Sequence, residues 1–272
     1  MIKTYIPTGF SRSQLLKSSI VGGFFIAGLI VASDTVRSEQ LEMLSPGLYQ
    51  LEMIMASTTR IRFFGTSKSA SKSLSLVEIR HDAEGFQQSH KVCDFRLLED
   101  SAMIKIVFPE KFISALANHT YPIQLERDGP GWRYRADLGF ERIGYKASPG
   151  DDKLPNRIDD PAVYDWDGDG RPGATLKLSV PLLPDGELYV VQRGHSILNG
   201  RLTRPGYVEG FIDYIAFEQT VLAARPAFLS QSPEITPNPN ESRFTITPLP
   251  PGSTCETVKR SDAIEKGLDS AR

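Results

Sequence analysis

Three aspartates separated by single residues carry the most specific chemistry of this chain. Asp165, Asp167 and Asp169 stand at alternate positions of an acidic, glycine-rich segment, residues 165–173. A hard cation such as Ca²⁺ prefers about six to eight oxygen ligands, and a tight turn of this composition brings several carboxylates together. Carboxylates held this close repel one another, so the same turn without a cation would lose stability. The spacing therefore predicts a calcium site with these three aspartates as ligands.

The segment is similar to the calcium loops of EF-hands, dockerins and thrombospondin type-3 repeats, which share the pattern D-x-D-G-D-G. It departs from the EF-hand at position 12, where Leu176 replaces the bidentate glutamate, and a strand-like alternation follows in place of a helix. An ordinary EF-hand is therefore excluded. We expect the remaining ligands to come from Asp159 or Asp160, from the Arg171 carbonyl, or from water. The loop contains no histidine, so we expect a structural ion and not a catalytic one.

Two cysteines, Cys93 and Cys255, complete the short inventory of residues with special chemistry. An even cysteine count in an exported chain predicts a disulfide, which would tie the C-terminal stretch to the first third of the domain. The alternative is a pair of separate buried thiols.

Enzyme motifs give little support to a catalytic function. The histidines are scattered without metal-binding spacing, and neither a phosphate-binding loop nor a dinucleotide fingerprint is present. We therefore favour an exported, non-enzymatic barrel that binds an apolar or other small molecule. The alternative is an extracytoplasmic, carbohydrate-active hydrolase whose acidic residues the sequence does not identify. Four aromatic residues could line either site, although core packing is the simpler expectation: Trp132, Tyr134, Tyr189 and Phe211.

The first 33 residues have the pattern of a targeting segment. Lys3, Arg12 and Lys17 precede an apolar run at residues 20–32, which is shorter than the roughly 20 residues needed to span a bilayer. We expect a cleaved signal peptide and hence a periplasmic or secreted protein. The alternative is an uncleaved signal anchor, which would then be the only attachment to the membrane. The rest of the chain has 28 basic and 33 acidic side chains, a balance that argues against nucleic acid as a partner.

The elements that must position these residues are short strands. Alternating segments recur between turn sequences such as Asp185-Gly186, and we expect about ten to twelve strands. This pattern predicts an all-β antiparallel barrel or sandwich, and it favours the barrel because closure removes exposed strand edges. The stretch with Gly200, Gly206 and Gly210 between alternating strands resembles the up-and-down meander of lipocalin-type barrels, with a bend expected at Gly210.

The remaining segments complete a single β domain at residues 34–255. One short helix is expected near 110–118, where Pro109 precedes apolar residues at helical spacing. The serine-rich residues 65–73 are predicted to be an exposed loop. Residues 256–272 are charged without an evident apolar face and are predicted to be a flexible tail.

Overall fold

A computed structural model describes residues 37–62, 65–98, 105–116, 119–147, 153–179 and 185–269. The targeting segment expected at residues 1–33 lies outside these described residues. The chain divides into two units, Met1–Gln40 and Leu41–Arg272, and the second contains every strand. No helix in the described ranges combines the length and the apolar character needed to cross a membrane.

Strands dominate the described chain, as the sequence predicts. The strands are β1 (Gly47–Ile61), β2 (Gly65–Asp82), β3 (Gly85–Leu97), β4 (Lys105–Val107), β5 (His119–Asp128), β6 (Gly131–Ile143), β7 (Ala174–Ser179), β8 (Gly186–Arg204), β9 (Tyr207–Arg225), β10 (Glu234–Pro237) and β11 (Arg243–Pro248). The helices are α1 at residues 37–43, α2 (Glu110–Ala115), α3 (Cys255–Asp269) and a short 3₁₀ turn (Ala227–Leu229). The short helix expected near 110–118 is therefore confirmed.

Eight of the strands close into a ring. Its order is β8, β6, β5, β3, β2, β1, β11 and β9, and β9 pairs again with β8. Every neighbouring pair is antiparallel. The all-β expectation is confirmed, and ring closure leaves these strands without the exposed edges that an open sheet would have.

Apolar side chains fill one end of the barrel, which we call the closed end. Leu44 follows α1 and is fully buried there, against the same core as Trp132 and Phe244. The Tyr49 hydroxyl donates a hydrogen bond of 2.7 Å to the Ser45 carbonyl and fixes the start of β1. Large buried residues thus occupy the interior where β1, β6, β8 and β11 meet.

Two glycines allow the strands to approach closely beside this core. Gly200 on β8 pairs directly with Gly210 on β9. A Cβ atom at Gly210 would lie 2.1 Å from the Asn199 carbonyl oxygen, and one at Gly200 would lie 2.8 Å from the Phe244 ring. Strand β9 runs through Gly210 as one continuous strand to Arg225. The missing Cβ of Gly200 thus makes room for the Phe244 ring, and that of Gly210 makes room for the β8 backbone at Asn199.

The strands β8 and β9 extend beyond the ring and build a second, smaller core. The first residues of β8 pair with β7, and β4 pairs with the other edge of β7. Helix α2 covers this sheet through Phe112. The buried members of the second core are Phe112, Ile143, Ala174, Leu176, Leu178, Leu188, Val190, Val221 and Ala224.

The serine-rich segment 65–73 is the first half of β2, so the prediction of an exposed loop is wrong. It pairs with β1 from Ile61 opposite Gly65 onwards. Ser73 and Ser75 are buried and lie on the same face of the strand as Val77. Small hydroxyl side chains fit a crowded barrel wall, although their polarity resembles that of a loop.

The C-terminal segment forms helix α3 where the sequence suggested a charged tail. Val258 is fully buried against Leu74 on the outer face of the barrel and is the apolar contact of the helix with the barrel wall. The expected disulfide joins Cys93 to Cys255, the first residue of α3, across a separation of 162 residues. Closing a loop of this length stabilises a fold by about 4–5 kcal/mol in the chain-entropy picture.

A buried ion network also holds α3. The Lys72 ammonium lies 2.7 Å from a carboxylate oxygen of Asp262 on α3 and 2.7 Å from one of Glu52 on β1. Arg96 donates to the second Asp262 oxygen at 2.6 Å and also pairs with Asp94. Burial alone would lower the pKa of Lys72, but the bonds and charges of Asp262 and Glu52 outweigh it and raise that pKa.

We predict that Asp262→Asn lowers the free energy of unfolding by about 3 kcal/mol, because it leaves two cations beside a buried site with one carboxylate fewer. Urea unfolding at neutral pH measures the change. Asp159→Asn is the matched control, since Asp159 pairs with Arg157 at the surface and its loss should leave stability unchanged. A similar small effect for both variants would contradict a stabilising role for the network.

Candidate functional site

The three aspartates of the acidic loop converge as their spacing predicts. One carboxylate oxygen from each of Asp165, Asp167 and Asp169 lies within 4.8 Å of the other two. Among the described residues, this is the group of acidic or histidine side chains whose geometry could hold a metal ion. The loop lies between the irregular segment at residues 153–164 and strand β7.

Backbone hydrogen bonds shape the loop. The Asp165 carboxylate accepts bonds from the amides of Asp169 at 3.0 Å and Gly170 at 2.9 Å. The Asp169 carboxylate accepts one from the Arg171 amide at 2.8 Å. The Gly173 carbonyl accepts a bond of 3.0 Å from Trp166 and closes the loop at its base. Gly168 and Gly170 have φ angles of 69° and 86°, which side chains with a Cβ rarely adopt.

Asp167 is the carboxylate that turns inward. Its side chain has an exposed fraction of only 7%, and one oxygen accepts a bond of 2.9 Å from the Thr175 amide. The other oxygen is buried without a hydrogen-bond partner. Burial raises the pKa of Asp167, and the charges of Asp169 and Asp165 raise it further. An ionised carboxylate in this position therefore lacks compensation that a bound cation would supply.

Helix α2 and strand β8 hold the loop in place. The Lys111 ammonium donates a bond of 2.7 Å to the Gly168 carbonyl, and the Phe112 ring packs against Trp166 with centroids 5.3 Å apart. At the base of the loop, a Cβ atom at Gly173 would lie 2.7 Å from the Val190 carbonyl oxygen. The loop therefore sits directly on the second core.

The other ligands expected from the sequence lie in separate hydrogen bonds. One Asp160 oxygen accepts a bond of 2.9 Å from the Ala162 amide and caps its own turn. The Asp159 carboxylate makes two bonds with Arg157 at the surface. Neither aspartate belongs to the converging group, and Arg171 approaches that group through its amide.

A second polar cluster, which the sequence did not indicate, lies inside the barrel away from the closed end. His90 on β3 stands directly opposite His119 on β5. His90 lies four residues from the core residue Phe86 on β3, and His119 lies four residues from the core residue Ile123 on β5. Residues an even number of positions apart share one face of a strand, so both imidazoles are on the inner face. The Tyr121 ring lies 5.0 Å from the His90 ring and 6.0 Å from the His119 ring, centroid to centroid.

Strand β6 adds Glu141 to this cluster. A β-bulge between Asp137 and Phe140, with Gly139 at a φ of 61°, changes the alternation of β6. Glu141 is exposed, but the protein around its carboxyl group displaces water and raises the pKa of that group. The charge of His119 lowers the same pKa. Glu141 in turn adds to the rise in the pKa of Tyr121, which is caused mainly by burial. Glu141 pairs with Gly194 of β8, which lies four residues from the inward-facing Leu198, so the Glu141 side chain is on the inner face of the barrel.

His90 is the buried member of the cluster. Burial lowers its pKa to about 3, and the charge of His119 contributes to that shift. Its Nε2 atom is buried and has no hydrogen-bond partner, and the same holds for the Nε2 atom of the neighbouring Gln88. Gln88 uses its other side-chain atom to accept a bond of 2.6 Å from the Tyr134 hydroxyl. His90 is thus a neutral imidazole at physiological pH with one unused nitrogen.

The remaining residues considered from the sequence have structural roles. The His195 imidazole lies 2.6 Å from an Asp137 oxygen on the outer face, and His81 packs against Phe86. Trp132, Tyr134 and Tyr189 are buried in the fold, as expected for core aromatics, whereas Phe211 has an exposed fraction of 60%.

Comparison of the chain with protein-family models, with curated proteins and with solved structures finds no match. The geometry of the acidic loop and of the barrel interior therefore carries the functional conclusion by itself.

Acidification should destabilise the protein through His90. Between about pH 6.5 and pH 3 the unfolded chain protonates this histidine and the folded chain does not, so stability falls as the pH falls. From pH 6.5 to pH 5 we expect the wild type to lose about 2 kcal/mol more than His90→Gln. Urea unfolding with a chelator present measures the difference. His119, Tyr121 and Glu141 are present in both proteins, so equal pH dependence would contradict the prediction.

Proposed function

We propose that this chain is an exported, non-enzymatic β-barrel protein whose acidic loop binds Ca²⁺ as a structural ion. The single observation that carries the proposal is the inward-facing Asp167, whose buried oxygen lacks a partner beside two further carboxylates. A divalent cation would supply the missing interaction and offset the repulsion within the group.

The separations within the loop are compatible with Ca²⁺. Two oxygens bound to one Ca²⁺ at about 2.3–2.6 Å lie at most about 5 Å apart, whereas Mg²⁺ at about 2.0–2.1 Å limits that separation to about 4 Å. The three aspartate oxygens lie within 4.8 Å of one another, which satisfies the Ca²⁺ limit. The Arg171 carbonyl, the second oxygen of Asp160 and water are our candidates for the remaining ligands.

The position of the loop supports a structural role. Trp166 packs on Phe112 of α2, and the base of the loop touches Val190 of β8. Thr175, whose amide binds Asp167, is the second residue of β7. An ion held by the loop would therefore fasten α2, β7 and β8 to one another at the second core.

Export is supported by two independent features. The disulfide Cys93–Cys255 is of the kind that persists in oxidising compartments. The first 33 residues have the basic and then apolar pattern of a targeting segment. A small ligand of the barrel, apolar or polar, would bind away from the closed end, because side chains fill that end.

Calcium should raise the melting temperature of the protein. With a dissociation constant of about 0.1 mM, typical of the tighter extracellular sites, 5 mM Ca²⁺ stabilises the fold by about 2 kcal/mol and raises Tm by about 4–8 °C. Differential scanning calorimetry with Ca²⁺ and with chelator measures this shift. Asp167→Asn should abolish most of it, because the variant loses the inward-facing ligand.

Asp159→Asn serves as the matched control and should retain the full Ca²⁺ response, since this surface carboxylate lies outside the loop. Terbium luminescence excited through Trp166 gives a second readout that reports on the loop itself. A melting temperature that is the same with Ca²⁺ and with chelator, together with no terbium signal, would overturn the proposal.

A further inference from the structure

We propose that His90, His119 and Glu141 form a second metal site inside the barrel, which takes a borderline-soft divalent cation of the Zn²⁺ type. The three residues come from the neighbouring strands β3, β5 and β6, and the strand register places all three side chains on the inner face of the barrel. This site is separate from the acidic loop and does not rest on calcium binding there.

Strand register places the two histidines for joint coordination. His90 and His119 are direct cross-strand partners, and side chains in that relation have Cβ atoms about 4.5–5.5 Å apart. Two imidazoles at this spacing can reach one ion at the usual Zn–N distance of about 2.0–2.1 Å. Ile123 pairs with Ala136, and from that pair His119 lies four residues along β5 and Glu141 five residues along the bulged β6, so the two side chains lie at about the same level of the barrel.

The second observation is the unused nitrogen of His90. The residue is more than nine-tenths buried, and its Nε2 atom has no hydrogen-bond partner. A buried polar atom without a partner costs roughly 1–3 kcal/mol, and coordination of a cation would remove that cost.

The donor set selects the class of ion. Two imidazoles and one carboxylate are the protein ligands of many zinc sites, with a fourth position left for water or another molecule. Ca²⁺ and Mg²⁺ prefer oxygen ligands, so they should compete poorly here, whereas Zn²⁺ should compete poorly for the all-oxygen acidic loop.

Binding would require two side chains to move. In the acidic loop the three ligating atoms lie within 4.8 Å of one another, and among the described residues the corresponding atoms of His90, His119 and Glu141 do not all reach that separation. His119 and Glu141 are both exposed, whereas His90 is buried and its ring packs against that of Tyr121. We therefore infer that His90 provides the fixed ligand and that the other two close on the ion.

Isothermal titration of the purified protein with Zn²⁺, after chelator treatment and with 1 mM Ca²⁺ present, tests the site. We expect a single Zn²⁺ to bind with micromolar or tighter affinity. His119→Asn and Glu141→Gln should each weaken binding at least about tenfold. Both residues are exposed, so these variants should fold, and circular dichroism checks this.

Three control variants distinguish this site from the remaining histidines and from the acidic loop. His81→Asn and His195→Asn remove histidines elsewhere in the barrel and should leave Zn²⁺ affinity unchanged. Asp167→Asn should also bind Zn²⁺ normally, because the calcium loop is a separate site. Co²⁺ in place of Zn²⁺ should give visible absorption bands typical of four-coordination by nitrogen and oxygen. The proposal would be overturned if His119→Asn bound Zn²⁺ as tightly as His81→Asn and His195→Asn do. It would also be overturned if the wild type bound no Zn²⁺.

Discussion

The pairing of β8 with β9 is the interaction on which the rest of the structure depends. It runs from Glu187 opposite Arg225 to Arg204 opposite Tyr207, through both the ring and the smaller sheet. Strand β6 pairs with the later part of β8, and β7 pairs with its first part. One hairpin therefore belongs to two cores. Its cross-strand glycines allow the walls to approach, and the acidic loop rests on its other half at Val190.

Buried polar groups are compensated differently at three places in the fold. Lys72 is neutralised within the fold, because carboxylates from β1 and α3 reach it directly. Asp167 has one backbone bond and otherwise only further carboxylates nearby. His90 avoids charge altogether, since burial keeps it neutral. The first is a completed network, whereas the other two leave a polar atom without a partner. That difference is why we propose metal binding for Asp167 and His90 and not for Lys72.

Sequence reasoning succeeded where the relevant chemistry is local. The alternate aspartates and the glycines between them lie within nine residues, and strand periodicity is visible within each segment, so the loop and the all-β fold could be predicted. Prediction failed where the structure of a segment depends on pairing with residues far away in the sequence. The serines of β2 look like a loop until β1 is placed beside them. Helix α3 depends on Val258 and Asp262 meeting a distant strand. The same holds for His90 and His119, which are 29 positions apart and become neighbours only through the β3–β5 register.

The two proposed ion sites lie where the fold has neither the main apolar packing of the barrel nor the disulfide to stabilise it. The closed end of the barrel is held by apolar packing, and the outer face of β2 and β3 is held by the disulfide and α3. The acidic loop lies on the smaller core, and His90 with His119 lies inside the barrel beyond the packed end. Both are positions where apolar burial gives way to polar side chains. A cation would add stability at both places, because it would pair with the buried Asp167 oxygen or the buried His90 nitrogen, neither of which has a hydrogen-bond partner.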